Sequence, residues 1–544
     1  MKHDTSVMYP WQNGGGKNRS DIDNTFIINA IIDNNRRLNK KTYFLFADAV
    51  KCFDNLWLQD CLVDLHELGM REREVAMIYE MNKQIKVVVD TPVGRTKEFT
   101  ANHIVKQGSV CATKLCCAST GKVNLMSPQE SYCLTPDINL QSVVFVDDIL
   151  GGGTSNVVKG VEQNLQHLEE KKGFTFGTKK TNYMAINTGR EKEEELDLKI
   201  KEGIIKKVSE YQCLGLLYHE SGTIEQHLKS MTNKGISMIK DAARIGHPHH
   251  VGPMSTAVQL FLYEKVIVNS ITHNLAGVTY WRKSDIESLE KVQGKLLKII
   301  LKLPDSTPYW GLLNELGLWP LEDIINYKKL MLLQNLRTSD DSRITKKLVA
   351  YQKEYKIEAS WYVSVDEMGK QHAIQMENEE LLENKTAWKK HIKEQIHHKV
   401  TEKSRGKINT MTKLRHQKQQ SFTMQSYIQE TNIWRVRDLI KVKLELLDIG
   451  KNYGKNRLCY GCKQSEETTE HIIVCKYARE FVGGECLANL DTMSDRKNLL
   501  QLYDFISTYI ERRNATHLDE TTNDQEAASR SPDTDTRRES RTIT

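Results

Sequence analysis

Two adjacent carboxylates, Asp147 and Asp148, stand in the stretch VVFVDDILGGG (143–153), between two apolar runs. Left unpaired in a buried strand, each charge would cost several kcal/mol. The tip of a hairpin resolves part of the conflict, because the backbone reverses there and both side chains can face a cleft. A divalent cation resolves the rest. Hard cations such as Mg²⁺ take carboxylate oxygens together with water and substrate phosphates. A third carboxylate at the end of a neighbouring strand completes such a site, and Asp48, after the apolar run YFLFA (43–47), is the candidate. Two metals about 4 Å apart in such a cage stabilise both the attacking and the leaving oxygen of phosphoryl transfer. The competing reading is a solvated turn, the commoner fate of such a pair taken alone.

A second constellation lies downstream. Cys459, Cys462, His471 and Cys475 follow the pattern C-x2-C-x8-H-x3-C, with the turn-rich entry CYGC. Zinc takes four such soft ligands tetrahedrally. The alternative is four uncoordinated side chains, and Cys486 lies outside the pattern. Lys451, Lys455, Arg457, Lys463 and Lys476 nearby suit phosphate contact, or serve solubility alone. The histidines of GHPHH (246–250), broken by Gly and Pro, read as a loop. The glycine runs at 14–16 and 151–153 lack the helix and lysine that a phosphate-cradling loop requires.

These groups need elements to position them. Residues 43–47 read as a strand. Residues 55–69 have helical spacing, with Asp54 as cap and Gly69 as stop. Residues 84–105 predict a hairpin, 110–126 a helix of small residues, and 143–146 a strand with ILGG as its short return. Residues 155–172 predict an amphipathic helix that shows Val158, Val161, Leu165 and Leu168 on one face. Strands recur near 174–187 and 204–217. After about residue 225 long helical patterns dominate, as at 285–303 and 323–336, and 340–430 is charged and mostly helical. From residue 513 the polar tail is expected to be disordered.

Composition fits a soluble globular chain: of 544 residues, 39% are apolar and 27% charged. No apolar run suits a membrane span or a secretory leader. Eleven scattered cysteines argue for a reducing compartment with one metal cluster rather than a disulfide framework. With 77 basic and 71 acidic residues the net charge is only +6, so any nucleic-acid footprint must come from local clustering.

The order of the motifs resembles the reverse transcriptases of non-LTR (LINE-type) retrotransposons. FADAVKCFD (46–54) looks like the family's motif A, VKQGSV (105–110) like motif B, FVDD (145–148) like motif C and GFTFGTKKTNYM (173–184) like motif D. YQCLG (211–215) resembles the Tyr-Leu-Gly element near the primer grip, with one extra residue. Residues 281–320 resemble the helical region after the palm, and the Cys/His segment resembles the family's C-terminal zinc element. In WQNGGGKNRSDIDN (11–24), similar to the fingers motif, Gly15 and Gly16 replace the usual aromatic and first arginine.

The resemblance implies an α+β fold: a polymerase right hand with palm and partial fingers (1–220), a helical thumb-like domain (221–345), a helical connection (346–455), a CCHC zinc element (456–480) and a disordered tail (513–544). It implies that Asp48 and Asp147 hold two Mg²⁺ ions with Asp148 beside them, and that Lys180 meets the leaving pyrophosphate. Phe53 would exclude a 2′-hydroxyl, Gln107 and Gly108 would line the nucleotide and template pocket, and Lys17 and Arg19 would remain as phosphate contacts. Zn²⁺ would sit on Cys459, Cys462, His471 and Cys475. The partners would be an RNA template, a DNA primer or target end and dNTPs, with no membrane, in the nucleus after a cytoplasmic ribonucleoprotein stage. Missing fingers sequence makes the chain resemble an N-terminally truncated copy. No endonuclease pattern is visible, so nicking is expected from a separate protein. The alternative is a catalytically dead remnant that only binds nucleic acid.

Overall fold

The structure is a computed structural model. It describes residues 8–101, 105–125, 130–245, 255–279, 281–411, 414, 417, 421–429, 433–450, 457–484, 486 and 496–528. They form two compact units: 1–238, 264–293 and 320–399 make the first, and 239–263, 294–319 and 400–544 the second. These divisions fall elsewhere than at 220, 345 and 455.

The first unit is built on a sheet of five strands. They are β1 (Thr42–Asp48), β2 (Ser142–Phe145), β3 (Asp148–Gly153), β4 (Asn182–Ile186) and β5 (Lys206–Lys207), in the order β5-β4-β1-β3-β2. Every pairing is antiparallel except β4 with β5. The apolar run that predicts β1 has its reason here, since a central strand has no solvent face and Thr42 to Ala47 are all buried. Helices α1 (Asp21–Arg37) and α3 (Ser155–Lys172) pack on the sheet, and the short helix α2 (Ala112–Thr120) lies near the β2–β3 turn.

α3 matches its expected bounds. Val158, Val161, Leu165 and Leu168 are fully buried. The Thr154 hydroxyl accepts from the Val157 N–H at its start, and Gly173 takes φ +69° at its end. The glycine run that forms the second half of β3 answers a packing demand. A Cβ on Gly152 would lie 2.1 Å from the Tyr43 carbonyl, and one on Gly153 would lie 2.2 Å from the Tyr132 ring.

The expected hairpin at 84–105 is present as nested pairs, Ile85–Val87 with Phe99–Ala101 and Asp90–Thr91 with Gly94–Arg95. A second hairpin, Glu210–Cys213 with Leu216–His219, turns through Leu214-Gly215. One expectation fails. Asp54 does not cap the helix that follows, which runs Leu58–Glu67 from Trp57 with no side-chain cap. Asp54 lies instead inside a separate turn, Cys52–Asn55. The Val50 N–H bonds to the Thr175 carbonyl at 2.8 Å, and Lys51 takes φ 46°. The chain therefore reverses directly after β1, before the helical pattern begins.

The long helical patterns are present as Lys283–Leu301 and Leu321–Arg337. Within the first unit, tryptophan N–H groups fix the helical layer: Trp361 Nε1 donates to the Ala276 carbonyl and Trp388 Nε1 to that of Leu330. In the second unit the buried Glu315 carboxylate accepts from the Tyr427 hydroxyl and Gln417 Nε2, both at 2.5 Å, with Lys443 Nζ at 3.4 Å. That unit also holds the long helix α4 (Arg496–Ala528). The tail expected to be disordered from 513 is thus helical to Ala528. Arg513 anchors the start of that stretch: its guanidinium bonds Glu467 at 2.7 Å and Asp448 at 3.1 Å, a tertiary contact invisible in the tail's own composition. Residues 529–544, the GHPHH stretch, Lys451 and Lys455 lie outside the described residues.

Candidate functional site

β2 and β3 join through the tightest kind of hairpin. Phe145 pairs with Asp148, so the loop is Val146-Asp147 alone. Such loops favour positive φ at their first residue, and Val146 takes φ 60°. On its other edge β3 pairs with β1, and Asp148 stands opposite Asp48. The hairpin therefore puts Asp147 at its tip and Asp148 one residue away, beside the end of the central strand. Two neighbouring like charges are tolerable there because both remain partly exposed.

The electrostatics show three carboxylates sharing one region. Burial, and then the charge of Asp48, push the Asp147 carboxyl above its ordinary range. Burial, and then the charges of Asp147 and Asp48, push Asp148 up to about 6. Lys180 donates to Asp48 Oδ2 at 2.7 Å, and its ammonium is held above its ordinary value by that bond. One lysine against three carboxylates leaves a formal excess of two negative charges, which suits a divalent cation and oxygen-seeking metals. The Tyr211 hydroxyl donates to the Lys180 carbonyl at 2.7 Å, and the Tyr211 ring stacks on Phe46 of β1 at 4.2 Å.

The raised carboxyl gives a testable stability signature. A folded-state value near 6 means that the native chain holds this proton more tightly than the unfolded chain does. Ionised Asp148 therefore destabilises the fold above pH 6, and the penalty fades as pH falls toward the ordinary carboxylate value. Asp148→Asn is expected to stabilise the chain by about 1–2 kcal/mol at pH 8 after discounting for solvent screening. Thermal melts should show the gain shrinking through pH 6 and absent near pH 4. An equal gain at every pH would refute the electrostatic cause.

The other expected residues have separate settings. Phe53 is half-buried in the turn after β1, and its carbonyl accepts from the Val105 N–H at 3.1 Å. That bond ties the 105–110 segment to the end of β1. Gln107 and Gly108 are exposed on that segment, with Gly108 at φ 77°. Lys17 is exposed. Arg19 is committed in part elsewhere: its Nη1 donates to the Tyr9 and Gln12 carbonyls at 2.8 and 2.6 Å.

Cys459, Cys462, His471 and Cys475 converge, with one ligand atom of each inside a group no wider than 4.8 Å. No group of carboxylates among the described residues is that compact. Cys462 Sγ lies 3.2 Å from His471 Nε2, and Cys459 Sγ lies 4.0 Å from Cys475 Sγ. The backbone N–H of Gln464, then that of Ser465, pulls the Cys462 thiol down to about 6, while burial raises Cys459. Thr468 caps the helix Thr469–Val474 that presents His471. From α4, the Tyr509 hydroxyl accepts from the Tyr460 N–H at 2.7 Å and lies 3.8 Å from Cys459 Sγ. Three thiols and an imidazole with no carboxylate fit a borderline-soft ion such as zinc.

Two residues touching the carboxylate hairpin were not singled out by sequence, Gln12 and Thr120. Gln12 stands inside the quoted fingers-like motif, but nothing local signals that its side chain reaches Val146, 134 positions away.

Comparison with known proteins follows this geometry. Residues 3–217 match the family model described as Reverse transcriptase (RNA-dependent DNA polymerase). Among solved structures, the chain is similar to telomerase from Candida albicans, determined in complex with a TWJ fragment of telomeric RNA. The identity is 13%, the match covers 63% of this chain and 56% of that one, and the TM-score is 0.29. The chain thus spans little more than half of that protein's length. A search of the curated proteins finds no match.

Proposed function

We propose that this chain, whose residues 3–217 form a reverse transcriptase domain, is an RNA-directed DNA polymerase of the non-LTR retrotransposon kind. The observation that carries the reading is the strand register that sets Asp48 beside Asp148, with Asp147 at the adjoining hairpin tip. Asp48 and Asp147 would hold two Mg²⁺ ions with Asp148 beside them. Bound there, the ions would supply charge stabilisation to the attacking and leaving oxygens. The 3′-oxygen of a DNA primer end, its proton passing to water, attacks the α-phosphorus of a dNTP as the bond to the β-phosphate breaks and pyrophosphate leaves. Lys180 offers a proton and a positive charge to that leaving group. Gln107 and Gly108 line the nucleotide and template side, with Lys17 and the free N–H groups of Arg19 at the phosphates. The Cys/His quartet, loaded with Zn²⁺, contributes a nucleic-acid contact for a template RNA or target DNA. The proposal extends to nuclear action after a cytoplasmic ribonucleoprotein stage, with nicking by a separate endonuclease.

Phe53 packs under the sugar of the incoming nucleotide in this reading. Phe53→Ala is then expected to raise ribonucleotide incorporation about 10- to 100-fold relative to dNTPs, measured by single-nucleotide extension. Unchanged discrimination would remove Phe53 from the sugar pocket.

A second reading, a remnant that binds nucleic acid without copying it, is favoured by Gly15 and Gly16 in the fingers motif and by the carbonyl bonds of Arg19. One experiment separates the two. Purified chain is given oligo(dT) on poly(rA) or poly(dA), with dTTP and Mg²⁺. Extension preferring the RNA template supports the polymerase. Tight primer–template binding without extension supports the remnant, and a preference for the DNA template would make it a DNA-templated enzyme.

A further inference from the structure

The β2–β3 turn contains an unusual choice of residue. Val146 is β-branched, yet it takes φ 60°, a region that such side chains resist. Glycine or asparagine would fill this position without strain. Something outside the hairpin must therefore hold the turn, and the contacts identify it. Gln12 is fully buried. Its Oε1 accepts from the Val146 N–H at 3.0 Å and from the Gly14 N–H at 2.8 Å. Its Nε2 donates to the Val146 carbonyl at 3.2 Å and to Thr120 Oγ1 at 3.0 Å. The two donors and two acceptor sites of the amide are all filled. Both backbone polar groups of one strained residue are captured by one side chain.

Neighbouring contacts fix Gln12 in turn. Its backbone bridges Val144 of β2, with the Val144 N–H donating to the Trp11 carbonyl at 2.9 Å and the Asn13 N–H to the Val144 carbonyl at 2.8 Å. Arg19 donates to the Gln12 carbonyl at 2.6 Å. Thr120 Oγ1 also donates to the Val146 carbonyl, at 2.6 Å. Gly14 makes the approach possible, since a Cβ there would lie 2.3 Å from the Val146 nitrogen.

We infer that Gln12 is a positioning residue for the catalytic carboxylates: it holds the Val146-Asp147 turn in the conformation that aims Asp147 and Asp148 at the metals. The inference rests on the reading of Asp48, Asp147 and Asp148 as metal ligands. Glutamine suits the task because the N–H and C=O of Val146 need an acceptor and a donor from the same group. Glutamate supplies only the acceptor, and alanine supplies neither.

The test uses the full chain and direct Mn²⁺ binding, read by the EPR signal of the free ion. The Asp147→Ala/Asp148→Ala chain serves as the background, which subtracts any ion at the cysteines. Gln12→Ala is expected to weaken carboxylate-dependent Mn²⁺ binding about tenfold or more, with Gln12→Glu intermediate. The half-saturating Mg²⁺ for primer extension should rise by a similar factor. Should Gln12→Ala not fold, Gln12→Glu and Thr120→Val, which removes the second donor to Val146, carry the same expectation. Wild-type Mn²⁺ affinity in a folded Gln12 variant overturns the inference. A wild-type chain that binds Mn²⁺ at the carboxylates but extends no primer defeats the polymerase reading and leaves the Gln12 result readable. A wild-type chain with no carboxylate-dependent Mn²⁺ overturns both.

Discussion

Alanine at both Asp147 and Asp148 is expected to lower primer extension about 10³-fold or more, equivalent to about 4 kcal/mol of transition-state stabilisation. The same double variant should melt no lower than the wild-type chain at neutral pH. The two expectations come from one cause. Both carboxyls sit above their ordinary range because burial disfavours their charged forms, as do the charge of Asp48 on both and that of Asp147 on Asp148. Charges kept where they destabilise the fold are the mark of a site that trades stability for activity. A structural carboxylate such as Asp21 behaves in the opposite way: burial raises its carboxyl, but hydrogen bonds from His273 and Asn274 hold it below the ordinary range, and its loss should lower the melting temperature. Extension and melting temperature measured on the same preparations decide the matter. Extension near the wild-type rate in the double variant would dismiss the carboxylates as metal ligands, and a large fall in melting temperature would make them structural.

The second large effect belongs to the Cys/His quartet. Structural zinc contributes an apparent binding energy of about 10–16 kcal/mol in small zinc modules at neutral pH. The quartet converges within 4.8 Å, but it is also tied down by α4 through Tyr509 and Arg513. Chelation is therefore expected to open the ligand-bearing segment 457–475 while the anchored start of α4 persists. Elemental analysis should find about one zinc per chain, and Cys459→Ser should abolish it. Hydrogen exchange after chelation should rise steeply over 457–475 and little over 499–509. A chain that carries no stoichiometric metal, with exchange indifferent to the chelator, would reduce the quartet to four packed side chains.

Local pattern carried much of the palm-like sheet and its acidic hairpin into view. The run YFLFA reads as a buried strand, and the charged pair between two apolar runs suits a hairpin tip. α3 was legible to the residue because its apolar spacing sets Val158, Val161, Leu165 and Leu168 on one face. The failures share a different cause, since each depends on a partner distant in sequence. Asp54 has the right chemistry for a cap, but the bond from Val50 to Thr175 folds the chain earlier. The polarity of the tail says nothing of Glu467, 46 positions before the arginine that pairs with it. Gln12 looks like one more polar residue in a glycine-rich loop until Val146 is seen beside it. Side chains that serve another segment's backbone leave no periodic trace.

The strand order β5-β4-β1-β3-β2 also sets a timetable for the making of the protein. β1 is central in the sheet, yet it is the first of the five strands to leave the ribosome. Its neighbours β3 and β4 lie about 100 and about 140 residues downstream. At about 5–20 residues per second, β1 waits about 7–28 s before both edges can be paired. Throughout that interval an uncharged run of Tyr, Phe, Leu, Phe and Ala presents two bare edges, the composition that seeds cross-strand aggregation. The nascent chain is thus a natural client for a holding chaperone, and its yield should depend on the pace of translation across residues 48–186 more than on the final stability of the fold.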